Sequence, residues 1–158
     1  MFRFRAFLKI VPALAAGCLT AQAQNCTNET IRGYYAYSGQ WTVYMQPPGT
    51  QPGQAPLTPV AVSSLATVTI DSQGRFSGPA VAAVGGQTVQ GAVKGTVVVN
   101  SDCTATLRWT SSNAPGEAVM KWVILDNGNL IWEHGIVGLL GNQVGIATYK
   151  RISIIPPG

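Results

Sequence analysis

Apolar and polar residues alternate along most of the chain from residue 33 onward, in runs that are separated by turn-forming residues. A period of two is typical of β-strands that bury one face, whereas an amphipathic helix repeats every three to four residues. The pattern predicts strands at 33–45, 61–70, 75–84, 87–99, 104–111, 117–126, 129–136 and 143–154. The predicted fold class is therefore all-β.

The segments between these strands have the composition of turns. Asn127-Gly128 is the strongest single signal, because both central residues of a two-residue type I′ turn need positive φ. The segment 46–59 contains five prolines and two glycines, so it is predicted to be an irregular loop. Ahead of the first strand, Thr27 or Asn28 can cap a single helical turn that Gly33 ends.

Short connections between consecutive strands place those strands side by side in one sheet. An open sheet of this kind would leave the strands at 33–45 and 143–154 as long exposed edges. Pairing these two strands removes both edges, so the predicted architecture is an eight-stranded antiparallel up-and-down barrel. A two-sheet β-sandwich is the alternative.

The N-terminal 23 residues have the three parts of a secretory signal peptide. Basic residues precede an apolar run at 10–19, and Ala21-Gln22-Ala23 provides the small residues of a cleavage site. The predicted organisation is a signal peptide at 1–23 and a single barrel domain at 24–158, with no transmembrane helix after cleavage. We therefore expect a secreted or periplasmic protein.

The chain has three cysteines, and they indicate the cellular compartment in which the protein is found. Cys18 ends the sequence Ala15-Ala16-Gly17-Cys18, which resembles a bacterial lipoprotein cleavage box, so a lipid anchor at Cys18 is the alternative to free secretion. Cleavage after Ala23 leaves Cys26 and Cys103, and an even pair in an oxidising compartment usually forms a disulfide. The chain has one histidine and no Cys-x-x-Cys pair, so no metal site is predicted.

Net charge narrows the range of partners. The formal charge of +4 comes largely from the leader, which holds three of the ten Lys and Arg residues, namely Arg3, Arg5 and Lys9. The rest of the chain is nearly neutral, so it has no basic stripe that could follow a phosphate backbone. Nucleic acid is therefore not a predicted partner, and the oligomeric state is left open.

Alternation also assigns side chains to the two faces of each strand. Placing Lys121 in solvent directs Trp122 inward, and placing Glu133 in solvent directs Trp132 and His134 inward. An interior rich in aromatic groups is typical of a cavity for an apolar molecule, and simple core packing is the alternative. The candidate ligand-binding residues are Tyr35, Tyr37, Trp109, Trp122, Trp132 and His134.

Groups that carry chemistry are sparse. His134 is the only side chain that ordinarily titrates near neutrality, so it is a weak catalytic candidate, and Tyr37 is a second one. The aspartates all fall in predicted turns, where a carboxylate caps the backbone. The sequence contains no Gly-x-Ser-x-Gly motif and no phosphate-binding loop. It therefore predicts no cofactor and favours binding over catalysis.

A short N-terminal turn followed by Thr30-Ile31-Arg32-Gly33-Tyr34-Tyr35 resembles the entry to calycin barrels, the group that includes lipocalins. Their signature at this place is Gly-x-Trp; here Gly33-x-Tyr35 takes the position, and Gly39-Gln40-Trp41 matches the letters further along the strand. The turns that follow are similar to those of small secreted bacterial barrels of the lipocalin and allene-oxide-cyclase types. The resemblance implies that Arg151, late in the last strand, packs over the aromatic ring at position 35.

Three functions fit these observations. The leading hypothesis is a secreted or periplasmic barrel that binds a small apolar or aromatic molecule in its interior. The resemblance to allene-oxide-cyclase barrels implies the second, a cofactor-free isomerase or cyclase that shapes an apolar substrate with few ionisable residues. The third is a packed barrel that acts as a surface or assembly module. A cavity above roughly 300 Å³ would favour the first two over the third.

Overall fold

A closed β-barrel forms the body of the protein in the computed structural model, which describes residues 25–51, 53–138 and 143–155. The elements in chain order are α1 (Asn28–Ile31), β1 (Gly33–Met45), β2 (Thr58–Ile70), β3 (Arg75–Val84), β4 (Gln87–Val99), β5 (Thr104–Ser111), β6 (Ala114–Leu125), β7 (Leu130–Val137) and β8 (Gln143–Ser153). Each strand pairs antiparallel with the next, and β1 pairs with β8 to close the sheet. The predicted up-and-down barrel is confirmed, and the sandwich alternative is wrong.

Two strands begin earlier than the sequence predicts, and each includes a proline. β2 begins at Thr58, so Pro59 lies in the strand rather than in the preceding loop. On that side β3 reaches only as far as Val62, so Pro59 lies where β2 has a single neighbour and a missing N–H is tolerated. β6 begins at Ala114, beside a register shift in its pairing with β5 that accommodates Pro115.

The connection between β6 and β7 is longer than the two-residue turn predicted at Asn127-Gly128. Asp126, Asn127 and Gly128 have positive φ values of 47°, 52° and 81° and form a short 3₁₀ turn. The strands stop at Leu125 and resume at Leu130, but these two residues pair, so the register is that of the predicted hairpin. Glycine is needed at position 128 because a Cβ there would collide with a carbonyl oxygen of α1.

The N-terminal segment closes one end of the barrel. Thr27 is the N-cap of α1, and its backbone N–H donates to the hydroxyl of Thr30 at 3.0 Å, while Ile31 is fully buried. Cys26 and Cys103 form a disulfide, with Cα atoms 4.9 Å apart, that ties this segment to the turn between β4 and β5. The predicted helical turn and the predicted disulfide are both confirmed.

Tyr35 and Arg151 link several elements at this closed end. The Tyr35 hydroxyl accepts hydrogen bonds from Nε and Nη2 of Arg151 at 3.0 and 2.9 Å. It also lies 2.9 and 2.8 Å from the carbonyl oxygens of Ile31 and Gly128, which share its single hydrogen. The guanidinium packs over the Tyr35 ring at 5.5 Å from its centroid, which is the contact that the calycin resemblance implies. One phenol thus joins α1, the β6–β7 connection and β8.

Some sequence predictions concern segments beyond the described residues. The signal peptide at 1–23, Cys18 and most of the 138–142 connection lie outside them. Within the described ranges, no helix has the length and apolar character needed to cross a membrane.

Removing the disulfide should destabilise the barrel. We expect the double variant Cys26→Ala/Cys103→Ala to lose roughly 2–5 kcal/mol of unfolding free energy, because a bridge at this long sequence separation strongly restricts the unfolded chain. Guanidinium unfolding followed by circular dichroism measures the change. Reductant should destabilise the wild type similarly and leave the double variant unaffected; equal stability of the oxidised and reduced wild type would contradict the prediction.

Tyr35→Phe should destabilise the closed end. The substitution removes the hydroxyl, so Arg151 and two buried carbonyl groups lose their hydrogen-bond partner. We therefore expect the free energy of unfolding to fall by about 1–3 kcal/mol. Tyr44→Phe on the same strand is the matched control: Tyr44 is 39% exposed, and its replacement should change stability by less than about 0.5 kcal/mol. Equal effects of the two substitutions in urea unfolding would show that the hydroxyl network contributes nothing.

Candidate functional site

The barrel encloses a cavity of about 340 Å³, a volume within the range of small-molecule sites. It extends from Phe76 and Tyr149, nearer the closed end, to the opposite end of the barrel, where Gln87 and Asn113 line it beside two hairpin turns. Aliphatic and aromatic side chains form most of its wall. The few polar groups in this cavity therefore lie in mainly apolar surroundings.

The cavity exists because three neighbouring strands direct small side chains inward. Ala66 of β2 pairs with Ala80 of β3, which in turn pairs with Gly91 of β4. Two residues along, Ser64 pairs with Ala82. The interior of an eight-stranded barrel is just wide enough to be filled by side chains, so small residues at facing positions leave space.

The adjoining part of the wall carries aromatic side chains from β1 and β8. Trp41 Nε1 donates a hydrogen bond to the Tyr37 hydroxyl at 3.1 Å, across Gly39, where a Cβ would collide with both groups. The rings of Tyr37 and Tyr149 pack at a tilt, with centroids 4.7 Å apart. The Ser64 hydroxyl donates to the same Tyr37 oxygen at 3.2 Å. With two hydrogen bonds accepted, this hydroxyl still has its own hydrogen to donate.

The face assignment of β7 is wrong, and the correction places an acid inside the barrel. Glu133, assigned to solvent from its charge, is 3% exposed and lines the cavity. Trp132 is 57% exposed, and His134 also lies on the outer face, so neither can contact a molecule in the cavity. Glu133 is accommodated because Trp122 Nε1 and the Tyr149 hydroxyl donate hydrogen bonds to it at 2.6 and 2.7 Å.

Both donors bind the same carboxyl oxygen of Glu133, Oε2. Among the described residues, the hydrogen bonds to Glu133 both go to Oε2 and none goes to Oε1, and no Lys, Arg or His side chain lines the cavity. Burial raises the pKa of Glu133 to about 7, although the hydrogen bonds from Trp122 and Tyr149 favour the charged form. Glu133 therefore changes charge near neutral pH in apolar surroundings.

The two tyrosines beside Glu133 stay protonated in that range. Burial raises the pKa of Tyr149 well above its ordinary value, and the charge of Glu133 raises it further. The same two causes, in the same order, raise the pKa of Tyr37. Both phenols are therefore neutral hydrogen-bond donors while Glu133 titrates.

The inward candidates from the sequence occupy different parts of the barrel. Tyr37 and Trp109 line the cavity, as the alternation of β1 and β5 predicts. Trp122 is buried as predicted, but its contribution is the hydrogen bond to Glu133, and it does not itself line the cavity. Tyr35 is buried at the closed end. Trp41 was missed, although it lies four residues after Tyr37 and so on the same face of the predicted strand.

A signal for the correct face of Glu133 is present in the sequence. A two-residue turn at 127–128 pairs residue 126 with 129, and therefore Trp122 with Glu133, which is the pairing observed. Residues directly opposite each other on antiparallel strands point to the same face. Once Trp122 is inside, Glu133 must be inside and Trp132 outside. The hairpin register therefore predicts the face of Glu133 correctly, whereas its charge predicts the wrong face.

The chain matches no protein-family model, and no curated protein or solved structure matches it. Among the described residues, no group of three His, Cys, Asp or Glu side chains is placed to hold a metal ion. The functional assignment therefore depends on the cavity and on Glu133.

Glu133 should make the barrel less stable at high pH than a neutral residue would. The folded chain holds the Glu133 proton more tightly than the unfolded chain does, so unfolding free energy falls as pH rises from about 4.5 to about 7, and the loss is complete above that range. At about 1.4 kcal/mol per pKa unit, the loss amounts to about 3 kcal/mol. Glu133→Gln keeps an acceptor for Trp122 and Tyr149, and it should be more stable than the wild type at pH 8.

Urea unfolding at pH 5 and pH 8 measures this effect as the difference between wild type and variant. The matched control is Glu117→Gln, which removes an exposed carboxylate that is ion-paired with Arg108 at 2.9 Å, and its effect should stay below about 1 kcal/mol. A Glu133→Gln variant with the same pH dependence of stability as the wild type would show that Glu133 does not titrate in this range.

Proposed function

We propose that this protein binds a small, mainly apolar molecule inside the barrel. The observation that carries the proposal is the cavity of about 340 Å³, with apolar walls and a few polar groups. Filling such a site removes apolar surface from water, which favours binding. A packed assembly module needs no such space, so the cavity favours binding over that hypothesis.

The construction of the barrel supports this proposal. The closed end is cross-linked by the disulfide and by the Tyr35–Arg151 contact, and the cavity is present without any ligand. A preformed site loses little conformational entropy when a ligand enters it. An exported location and a relationship to calycin barrels are parts of the same proposal; the disulfide supports the first, and the packing of Arg151 over Tyr35 supports the second.

A cofactor-free isomerase is the second candidate, and Glu133 is the observation that favours it. A carboxyl group with a pKa of about 7 can take a proton from a bound substrate and return it at another carbon. Tyr37, a catalytic candidate from the sequence, also faces the cavity, whereas His134 does not. In deuterated water such an enzyme would place deuterium beside the carbonyl of a bound ketone, and Glu133→Gln would abolish the exchange detected by NMR while keeping binding.

The neutral, environment-sensitive fluorophore prodan tests binding. Its emission shifts to the blue in apolar surroundings, and Trp41 and Trp109 on the cavity wall supply a second signal by energy transfer. We expect saturable binding by the wild type. Ala80→Phe should weaken it by at least about tenfold, or about 1.4 kcal/mol, because the new ring occupies the space between Ala66 and Gly91.

Two control variants separate loss of the cavity from general damage. Ser77→Phe adds the same ring to the outer face of the same strand and should bind prodan as the wild type does. Trp132→Ala removes an exposed outer side chain and should also leave the affinity unchanged. Binding that does not saturate, or equal binding by the two phenylalanine variants, would contradict the proposed function.

A further inference from the structure

An acid on the inward face of a barrel is costly unless something compensates its charge. Glu133 is almost completely buried, and the described cavity wall offers it no basic side chain. An apolar residue at this position would fill the interior without that cost. The chain nevertheless keeps a carboxyl at this position, where it lines the cavity.

The hydrogen bonds of Glu133 leave one side of the carboxyl available. Trp122 and Tyr149 both donate to Oε2, which fixes the orientation of the group. Oε1 has no donor among the described residues, while Glu133 lines the cavity. The arrangement is an oriented hydrogen-bond acceptor that is incomplete without a further partner.

We infer that the ligand is a small apolar amine, bound as its ammonium ion with the nitrogen on Oε1 of Glu133 and its apolar body against the Ala66–Ala80–Gly91 wall. The inference rests on the proposed binding function and adds the chemical class of the ligand. An ammonium group supplies both the missing hydrogen bond and the missing positive charge, whereas an alcohol supplies only the hydrogen bond. A carboxylate ligand would be repelled.

The energetics favour a cation because folding has already desolvated the carboxyl. Only the ammonium group loses its hydration on binding, and the attraction between the two charges is strong in apolar surroundings. Tyr37 and Tyr149 also line the cavity, and the negative partial charge of an aromatic ring face favours a nearby cation. Each of these contributions is absent for a neutral ligand of the same shape.

Protonation of Glu133 should be coupled to binding of such a cation. The titratable groups that face it across the cavity are Tyr37 from β1 and Tyr149 from β8, and both stay neutral near pH 7. The cavity-lining residues described on β2 to β6 include no titratable side chain. Below about pH 7 an incoming ammonium ion must therefore displace the proton of Glu133.

Calorimetry with three probes that share a phenyl group tests the inference at pH 8. The probes are phenethylamine, phenethyl alcohol and hydrocinnamate. We expect phenethylamine to bind at least about tenfold more tightly than the alcohol, a difference of about 1.4 kcal/mol, and hydrocinnamate to bind least. Glu133→Gln should abolish the preference for the amine over the alcohol. Glu117→Gln, which removes an equal charge from the outer surface, should retain the preference.

Proton release gives a second measurement that uses the wild type alone. At pH 6, titrations in two buffers of different ionisation enthalpy should show phenethylamine releasing up to about one proton on binding, because Glu133 becomes charged. Phenethyl alcohol should release none. The same titrations at pH 8 should show almost no release with either probe. This result does not depend on the folding of any variant.

The outcomes separate this inference from the proposed function. Equal wild-type affinity for the amine and the alcohol, an amine preference that survives Glu133→Gln, or no proton release at pH 6 would overturn the inference. Binding of prodan without binding of phenethylamine would overturn it as well, and the proposed apolar binding would stand. Failure of prodan and of all three phenyl probes to bind would overturn both.

Discussion

Closing an eight-stranded sheet on itself is the constraint on which the rest of this structure depends. Pairing β1 with β8 removes both sheet edges and sets the interior to a width that inward side chains can just fill. Whether a given level of the barrel is packed or hollow then depends on the size of the inward residues. Near α1 these are large, as at Tyr35 and Leu107, whereas β2, β3 and β4 contribute alanine, serine and glycine nearer the other end. The packed core and the cavity therefore lie at different levels of the same barrel.

Much of the fold follows from the sequence because barrel closure is set by local signals. The alternation of the strands and the turn residues predict the observed strand order, and the parity of the cysteines predicts the Cys26–Cys103 bridge. The N-terminal helical turn is predicted as well, with Thr27 or Asn28 as its cap, and the structure has Thr27. The sequence predicts the strand ends near prolines less accurately. Pro59 is tolerated in β2 because the pairing with β3 stops before it, and the extent of that pairing is a property of the assembled sheet.

The candidate site was only partly predictable, and the reason is a conflict between two rules. Charge placed Glu133 in solvent, while the hairpin register placed it opposite Trp122 and so inside. The register prevails because Trp122 Nε1 and the Tyr149 hydroxyl both donate to Oε2 of the buried carboxyl. The second donor lies on β8, which no local pattern around β7 reveals. The cavity likewise depends on Ala66, Ala80 and Gly91 meeting across three strands, so its volume is a tertiary property.

Glu133 connects the stability of the barrel with its proposed function. Above neutral pH an unliganded barrel would hold a buried negative charge with no basic side chain beside it among the described cavity residues, which would lower its stability relative to a neutral residue. A bound ammonium ion would neutralise that charge and recover the lost stability as part of its binding free energy. A neutral apolar ligand would fill the same space without this recovery. The acid thus costs the empty barrel stability at the pH where it would give the greatest selectivity for a cation, as expected of a residue retained for recognition rather than for folding.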